Sequence, residues 1–125
     1  VYPMERIPEK KKILVTDDDP GIRDIFKIIF ETAGYDVQMI INGDDLLNNK
    51  FEIPDLFLLD KQLSGVDGID ICRYLKKQKT TSHLPVIMIS ANPNIGKLSE
   101  EAGADAYIEK PFEVKHLLEM VERYI

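Results

Sequence analysis

The sequence predicts an α/β fold: a doubly wound parallel sheet built from five strand-helix units. Two observations carry that prediction. Five short runs are almost continuously apolar, as in Ile13-Leu14-Val15, Leu56-Phe57-Leu58-Leu59 and Val86-Ile87-Met88-Ile89, which is how strands read when helices cover both faces of a sheet. Each run is followed by a polar turn and then an amphipathic stretch, and strict alternation of this kind implies parallel strands joined by right-handed crossovers. A chain of 125 residues holds one such domain and no second one.

In order along the chain, Val1 to Glu9 carries two prolines and mixed charge, and residues 1–10 read as a flexible lead-in or linker to a domain over 11–125. Strands are expected at Lys12–Thr16, Asp36–Ile41, Asp55–Asp60, Leu84–Ser90 and Asp105–Glu109. The first helix, Pro20–Ala33, places Ile22, Ile25, Phe26, Ile29 and Ala33 three and four apart, and Gly34 stops it. Asn42–Lys50 is a short, weak helix frayed at Asn48-Asn49. Asp67–Lys79 carries Ile69, Cys72 and Leu75 on one face, with lysines at its C-terminal end, where the helix dipole favours them. Asn94–Ala102 ends at Gly103, and Phe112–Ile125 aligns Val114, Leu117, Leu118, Val121 and Ile125.

Composition excludes several function classes. Hydrophobic residues make up 44% and charged residues 30%, a globular balance that leaves out disordered and fibrous chains. A net charge of −6 repels nucleic acid and anionic membranes, so this domain is not expected to bind DNA directly. The single Cys72 permits no internal disulfide and fits a reducing compartment. No run approaches the roughly 20 apolar residues of a membrane span and no signal peptide is visible. The expectation is a cytoplasmic domain without membrane insertion. Beginning at Val1 rather than Met, the chain reads as an excised piece or as carrying a cloning remnant.

In open α/β sheets the site lies beyond the carboxyl ends of the strands. There the chain sets Asp17-Asp18-Asp19 after strand one, Asp60 after strand three, Ser90 after strand four and Lys110-Pro111 after strand five. Taken singly, each has a plain explanation. Asp19 before Pro20 reads as a helix N-cap with Pro at the first helical position, Lys110 as a solvated charge and Ser90 as a turn residue. Their convergence on one edge has no such explanation. Clustered carboxylates repel one another unless a cation sits among them, and carboxylate oxygens completed by water and phosphate are what Mg²⁺ prefers. With no His or Cys at these positions, zinc and softer metals are disfavoured. A carboxylate at a rigid strand end, beside Mg²⁺ and a lysine, can attack a phosphoryl group and become an aspartyl phosphate.

These pieces resemble the receiver domain of two-component response regulators, the chemotaxis-regulator-like family. The resemblance rests on Ile13-Leu14-Val15-Thr16-Asp17-Asp18-Asp19-Pro20, Leu59-Asp60 with Asp67-Gly68, Ile87-Met88-Ile89-Ser90-Ala91, and Ala102 to Phe112 with its Lys110-Pro111. It covers about residues 11–125. It implies a flavodoxin-like sheet with strand order 2-1-3-4-5. It further implies Asp60 as phosphoacceptor, with Mg²⁺ held by Asp17, Asp18, Asp60 and the backbone carbonyl of Gln62. Lys110 would pair with the phosphoryl oxygens, Ser90 would be the switch hydroxyl, Tyr107 the switch aromatic, and Lys110-Pro111 a cis peptide.

The implied function is a phosphorylation-dependent signalling switch, not an enzyme beyond its own phosphorylation and dephosphorylation. Its phosphoryl source is a histidine kinase or histidine phosphotransfer protein that docks on the first helix around Ile22 and Phe26. Output would be read from the face of the fourth helix, fifth strand and fifth helix, and a phosphorylation-dependent homodimer stays open. Where the family often carries Met-Pro, this chain has Leu63-Ser64-Gly65. Gly frees the backbone that Pro fixes, so a looser loop is expected. Tyr107 reads either as half core or as the switch, and its spacing from Lys110 favours the switch. Cys72 and Met88 read as core, His83 as a loop residue and His116 as a helix residue without a partner pattern.

The receiver of a hybrid kinase in a phosphorelay differs only in context, as does a stand-alone receiver or a piece of a larger regulator, since no effector follows the last helix in the given chain. An Asp-dependent small-molecule phosphatase needs a DxDx nucleophile motif and a substrate cap, and the sequence shows neither. A flavin-binding module needs a Ser/Thr/Gly-rich phosphate loop after strand one, where three aspartates stand instead.

Overall fold

The computed structural model describes residues 9–63 and 65–125. Most of the expected lead-in, and Ser64, fall outside these residues. The elements run β1 (Lys12–Thr16), α1 (Pro20–Thr32), β2 (Asp36–Ile40), α2 (Gly43–Leu47), β3 (Leu56–Asp60), β4 (Gln62–Leu63), β5 (Val66–Asp67), α3 (Gly68–Lys77), β6 (Val86–Ser90), α4 (Ile95–Ala102), β7 (Ala106–Glu109) and α5 (Val114–Tyr124). Five strands form one parallel sheet in the order β2-β1-β3-β6-β7. This is the expected 2-1-3-4-5 order of the five principal strands.

Because successive strand residues face opposite sides, each strand feeds two cores. Ile13, Val15, Leu56, Leu58, Ile87 and Ile89 pack under α1 and α5 with Phe26, Phe30, Leu117 and Val121. Leu14, Phe57, Leu59, Val86 and Met88 face α2, α3 and α4 with Leu46, Ile71, Cys72, Leu75 and Ile95. Burying each such large side chain contributes about 1.5–3 kcal/mol, and together these layers hold the strand ends rigid.

Several helix boundaries follow from their caps. Asp19 accepts hydrogen bonds from the Gly21 and Ile22 N–H groups, with Pro20 at the first helical position. At the other end of α1, Gly34 adopts φ +95°, and the Tyr35 N–H donates to the Phe30 carbonyl, the left-handed stop that glycine permits. Asn42 and Asp67 cap α2 and α3 with their side chains. The last strand-helix connection runs through a cis Lys110-Pro111 peptide.

Some expectations need correction. Ile25 and Ala33 lie on the exposed side of α1, and Phe30 takes the buried place beside Phe26, because positions 22, 26 and 30 repeat every four residues on the sheet-facing side. Val114 is exposed at the start of α5, which begins after Phe112; the Phe112 ring instead stacks on Phe26. The looseness expected at Ser64-Gly65 falls partly on Ser64, outside the described residues, and the residues on either side form a two-stranded hairpin. Gln62 pairs with Asp67 and Leu63 with Val66, Lys61 Nζ meets Asp67 Oδ2 at 3.0 Å, and Gly65 has φ +80°.

Candidate functional site: an acidic cleft at the strand ends

A cleft of about 420 Å³ opens at the carboxyl ends of β1, β3 and β6, lined by Asp17, Asp18, Asp19, Asp60, Ser90 and Lys110 among others, including Gln62. Strand geometry places them. In β1 and β3 the register sets Thr16 beside Leu59, so Asp17 and Asp60 leave neighbouring strand ends together. Both side chains are nearly enclosed, with Asp17 1% and Asp60 5% exposed.

The two carboxylates share one cation. Lys110 Nζ donates to Asp60 Oδ2 at 2.6 Å and to Asp17 Oδ2 at 3.4 Å. Their other oxygens accept from main chain: Asp17 Oδ1 from the Asp19 N–H at 2.9 Å and Asp60 Oδ1 from the Gln62 N–H at 2.8 Å. Burial is the main reason the Asp17 carboxyl is pushed up to about 6 from its usual 3.8; the Asp19 N–H opposes the rise, the facing Asp60 adds to it and Lys110 offsets part. Burial pulls the Lys110 ammonium down, but its hydrogen bond to Asp60, then the charges of Asp60 and Asp17, leave it above the usual lysine value. Lys110 is therefore a fixed positive charge at neutral pH.

Ser90, 2% exposed, turns its Oγ to accept from the Asn92 N–H at 3.0 Å, and its carbonyl accepts from the Lys110 N–H at 2.9 Å. That bond ties the lysine's strand to the serine's. Asp17, Asp18, Asp60, Gln62, Ser90 and Lys110 thus meet in one cleft. Tyr107 does not line it. Its side chain stands on edge strand β7, 44% exposed, with its ring against Gly96 of α4, where a Cβ would come within 2.9 Å of Cζ. Phe26, placed by sequence at a docking surface, is fully buried and offers none; on α1 the exposed large apolar residues are Ile25 and Ile28.

Two positions that hold Asp60 stand in the matched motifs but were given no role by the sequence. Thr16 Oγ1 accepts from the Asp60 N–H at 3.3 Å; its one sequence signal is a hydroxyl ending an otherwise apolar strand. Gly68, the first residue of α3, donates its N–H to the Lys61 carbonyl at 2.8 Å, and a Cβ there would overlap the carbonyl oxygen of Asp60 itself. Only the absence of a side chain lets the helix start so close.

Among the described residues, no group of three or more His, Cys, Asp or Glu side chains is arranged to enclose a metal by itself. The cleft instead offers hard carboxylate oxygens that Lys110 neutralises in part. That donor set fits Mg²⁺, which keeps several waters and takes only one or two protein carboxylates. Among the described residues, no helix is long and apolar enough to cross a membrane.

A family model described as the response regulator receiver domain matches residues 13–122. The DNA-binding dual master transcriptional regulator RpaA of Synechocystis is 38% identical over 117 residues, covering 88% of this chain and 47% of that protein. The DNA-binding response regulator MtrA of Mycolicibacterium smegmatis is 38% identical over 115 residues, covering 90% of this chain and 49% of its own length. The chain spans about half the length of these curated relatives. Among solved structures, the receiver domain of NtrX from Brucella abortus superposes with a TM-score of 0.80 at 35% identity, covering 90% of this chain and 96% of that one. The receiver domain of a Pseudomonas aeruginosa sensor histidine kinase, described with magnesium coordinated in its active site cleft, gives 0.84 at 24% identity over 93% and 98% of the two chains.

Proposed function

Because this chain belongs to the response regulator receiver family, a family of signalling switches, we propose that Asp60 accepts a phosphoryl group from a phosphohistidine of a sensor kinase or phosphotransfer protein. Residues 11–125 form the receiver unit, acting in the cytoplasm. The observation that carries this reading is the single ammonium of Lys110 held between two enclosed carboxylates from separate strands, 2.6 Å from Asp60 and 3.4 Å from Asp17.

In the step proposed, a carboxylate oxygen of Asp60 forms a bond to phosphorus as the phosphorus–nitrogen bond of the donor histidine breaks, and the departing imidazole leaves neutral after gaining a proton from water. Negative charge gathers on the phosphoryl oxygens. Lys110 meets it with a charge fixed in place, and the Ser90 hydroxyl, by rotating from the Asn92 N–H, donates to it. Asp17, Asp18, Asp60 and the Gln62 carbonyl would hold Mg²⁺, which when bound supplies further neutralisation of phosphoryl charge. The donor protein docks on α1, whose Ile22 lines the cleft, through exposed Ile25 and Ile28. Drawing Ser90 toward the phosphoryl group shifts Tyr107 between two orientations, and a modest preference suffices to move such an equilibrium.

With Mg²⁺ and acetyl phosphate, the protein gains the mass of one phosphoryl group, labile to base and hydroxylamine; EDTA prevents labelling, Asp60→Asn abolishes it and Lys110→Ala slows it. Equal labelling of Asp60→Asn would overturn the assignment.

A further inference from the structure

Lys61 stands between Asp60 and Gln62, and each of its polar groups is held by a different part of the fold. Its N–H donates to the Ile89 carbonyl of β6 at 3.0 Å, and its carbonyl accepts from the Gly68 N–H at the start of α3 at 2.8 Å. Its ammonium donates to Asp67 Oδ2 at 3.0 Å. The Lys61 side chain is 17% exposed and that of Asp67 41%, so the methylene stem is mostly covered while the charge meets its partner near the surface. Asp67 is also the N-cap of α3, its Oδ1 accepting from the Ile69 N–H at 2.9 Å. These contacts fix a peptide plane. The Lys61 carbonyl and the Gln62 N–H belong to one rigid peptide unit; Gly68 takes the carbonyl, and the N–H donates to Asp60 Oδ1 at 2.8 Å. The next peptide carries the Gln62 carbonyl, and it lies in the hairpin where Gln62 pairs with Asp67 and Leu63 with Val66. A hairpin with two residues in each strand is marginal by itself. The Lys61–Asp67 pair spans its open end.

We propose that Lys61 and Asp67 are positioning residues for the cleft: their ion pair holds the hairpin closed, keeping the Gln62 N–H on Asp60 and the Gln62 carbonyl in place for Mg²⁺. The proposal rests on the reading of Asp60 as a Mg²⁺-dependent phosphoacceptor. Neither side chain lines the cleft, so each acts through the peptide it holds and not by touching metal or phosphoryl group. Charge separates this role from a simpler one. Lys61→Met keeps the covered stem and removes a positive charge. Asp67→Asn keeps the α3 cap, since asparagine caps as well as aspartate, and removes a negative charge. Acting only through space, the first change would tighten Mg²⁺ binding and the second would weaken it. Acting as a clamp, both weaken it, and the double variant is no worse than either single one.

The test is calorimetric titration of the full chain with Mg²⁺ at constant ionic strength. Affinity is expected to fall about three- to tenfold in Lys61→Met, in Asp67→Asn and in the double variant, less than a fully buried outer-shell contact would lose because the pair is partly exposed. Lys61→Arg, which keeps the pair, is expected to bind as wild type does. In EDTA, hydrogen exchange of the Gln62 amide is expected to quicken in Lys61→Met and Asp67→Asn and not in Lys61→Arg. Opposite shifts of Mg²⁺ affinity in the two single variants, additive losses in the double variant, Gln62 exchange at the wild-type rate, or unchanged affinity with only a lower Tm would each overturn the proposal. Failure of the phosphoryl reading looks different: wild type itself would bind no Mg²⁺ or take no label from acetyl phosphate. The Gln62 exchange comparison would then still decide whether the pair closes the hairpin.

Discussion

Asp17→Asn is expected to stabilise the metal-free protein at neutral pH and to do so less and less as the solution is acidified. Asp17 is 1% exposed, faces Asp60 and shares Lys110 with it. A carboxyl whose folded value is about 6 against the usual 3.8 binds its proton more tightly in the folded state than in the unfolded chain. Above pH 6 the fold must therefore hold an ionised group it disfavours, at a cost on the order of 3 kcal/mol. Below about pH 4 both states are protonated and the cost is gone. Asparagine removes the charge, and its Oδ1 still accepts from the Asp19 N–H. Allowing for imperfect replacement, the gain is about 1–3 kcal/mol above pH 6.5, or about 4–12 °C in Tm for a domain of this size. Circular-dichroism melts in EDTA at pH 7.5, 6.5, 5.5 and 4.5 measure it, with the difference between variant and wild type shrinking from pH 6 to pH 4. A variant less stable than wild type at pH 7.5, or a gain as large at pH 4.5, would refute the reasoning. Excess Mg²⁺ should reverse the order at pH 7.5 by stabilising wild type through binding.

Other expectations follow from single contacts. Thr16→Val leaves the Asp60 N–H without its hydroxyl acceptor in a buried setting, costing about 1–3 kcal/mol in urea unfolding, while Thr16→Ser costs less. Cys72 is fully buried and its thiol is pushed up to about 11, chiefly by burial; a thiol reagent at pH 8 should leave the native protein unlabelled and react fully once it is unfolded. Asp105 Oδ2 receives both Lys76 Nζ at 2.6 Å and the Val86 N–H at 2.8 Å. Asp105→Ala is expected to cost about 1–2 kcal/mol, and Asp105→Asn, which keeps an acceptor for Val86, less.

The architecture was legible because its signals are local. Apolar runs such as Leu56-Phe57-Leu58-Leu59 mark strands covered on both sides, and Asp19-Pro20, Gly34 and Gly103 mark helix ends with their own capping chemistry. The members of the cleft were legible for a related reason: a topology that aligns strand ends turns residues far apart in sequence into neighbours. What escaped depends on which way a side chain faces across a packing layer. Ile25 and Phe30 both fit a helical period, and only the layer beneath α1 selects Phe30. Val114 fits the α5 stripe, yet the helix starts too late for it to reach the core. The hairpin at Gln62–Leu63 and Val66–Asp67 was missed because two-residue strands leave almost no pattern, and the Lys61–Asp67 pair that closes it joins residues six apart. Thr16 looked like any strand-end residue until the neighbouring strand supplied the N–H it accepts.

The contact between Gly68 and Asp60 gives the cleft a direction. On the α3 side the main chain of Asp60 meets a helix backbone at a distance that leaves no slack for even one methyl group. Within the sheet, β3 lies between β1 and β6; the Ile89 carbonyl of β6 receives the Lys61 N–H at 3.0 Å, and the end of β6 bears Ser90. Toward α3, Asp60 is therefore backed by main chain, while within the sheet it is held by hydrogen bonds to β1 and by the strand pairing to β6. The start of α3 is thus a fixed wall of the cleft.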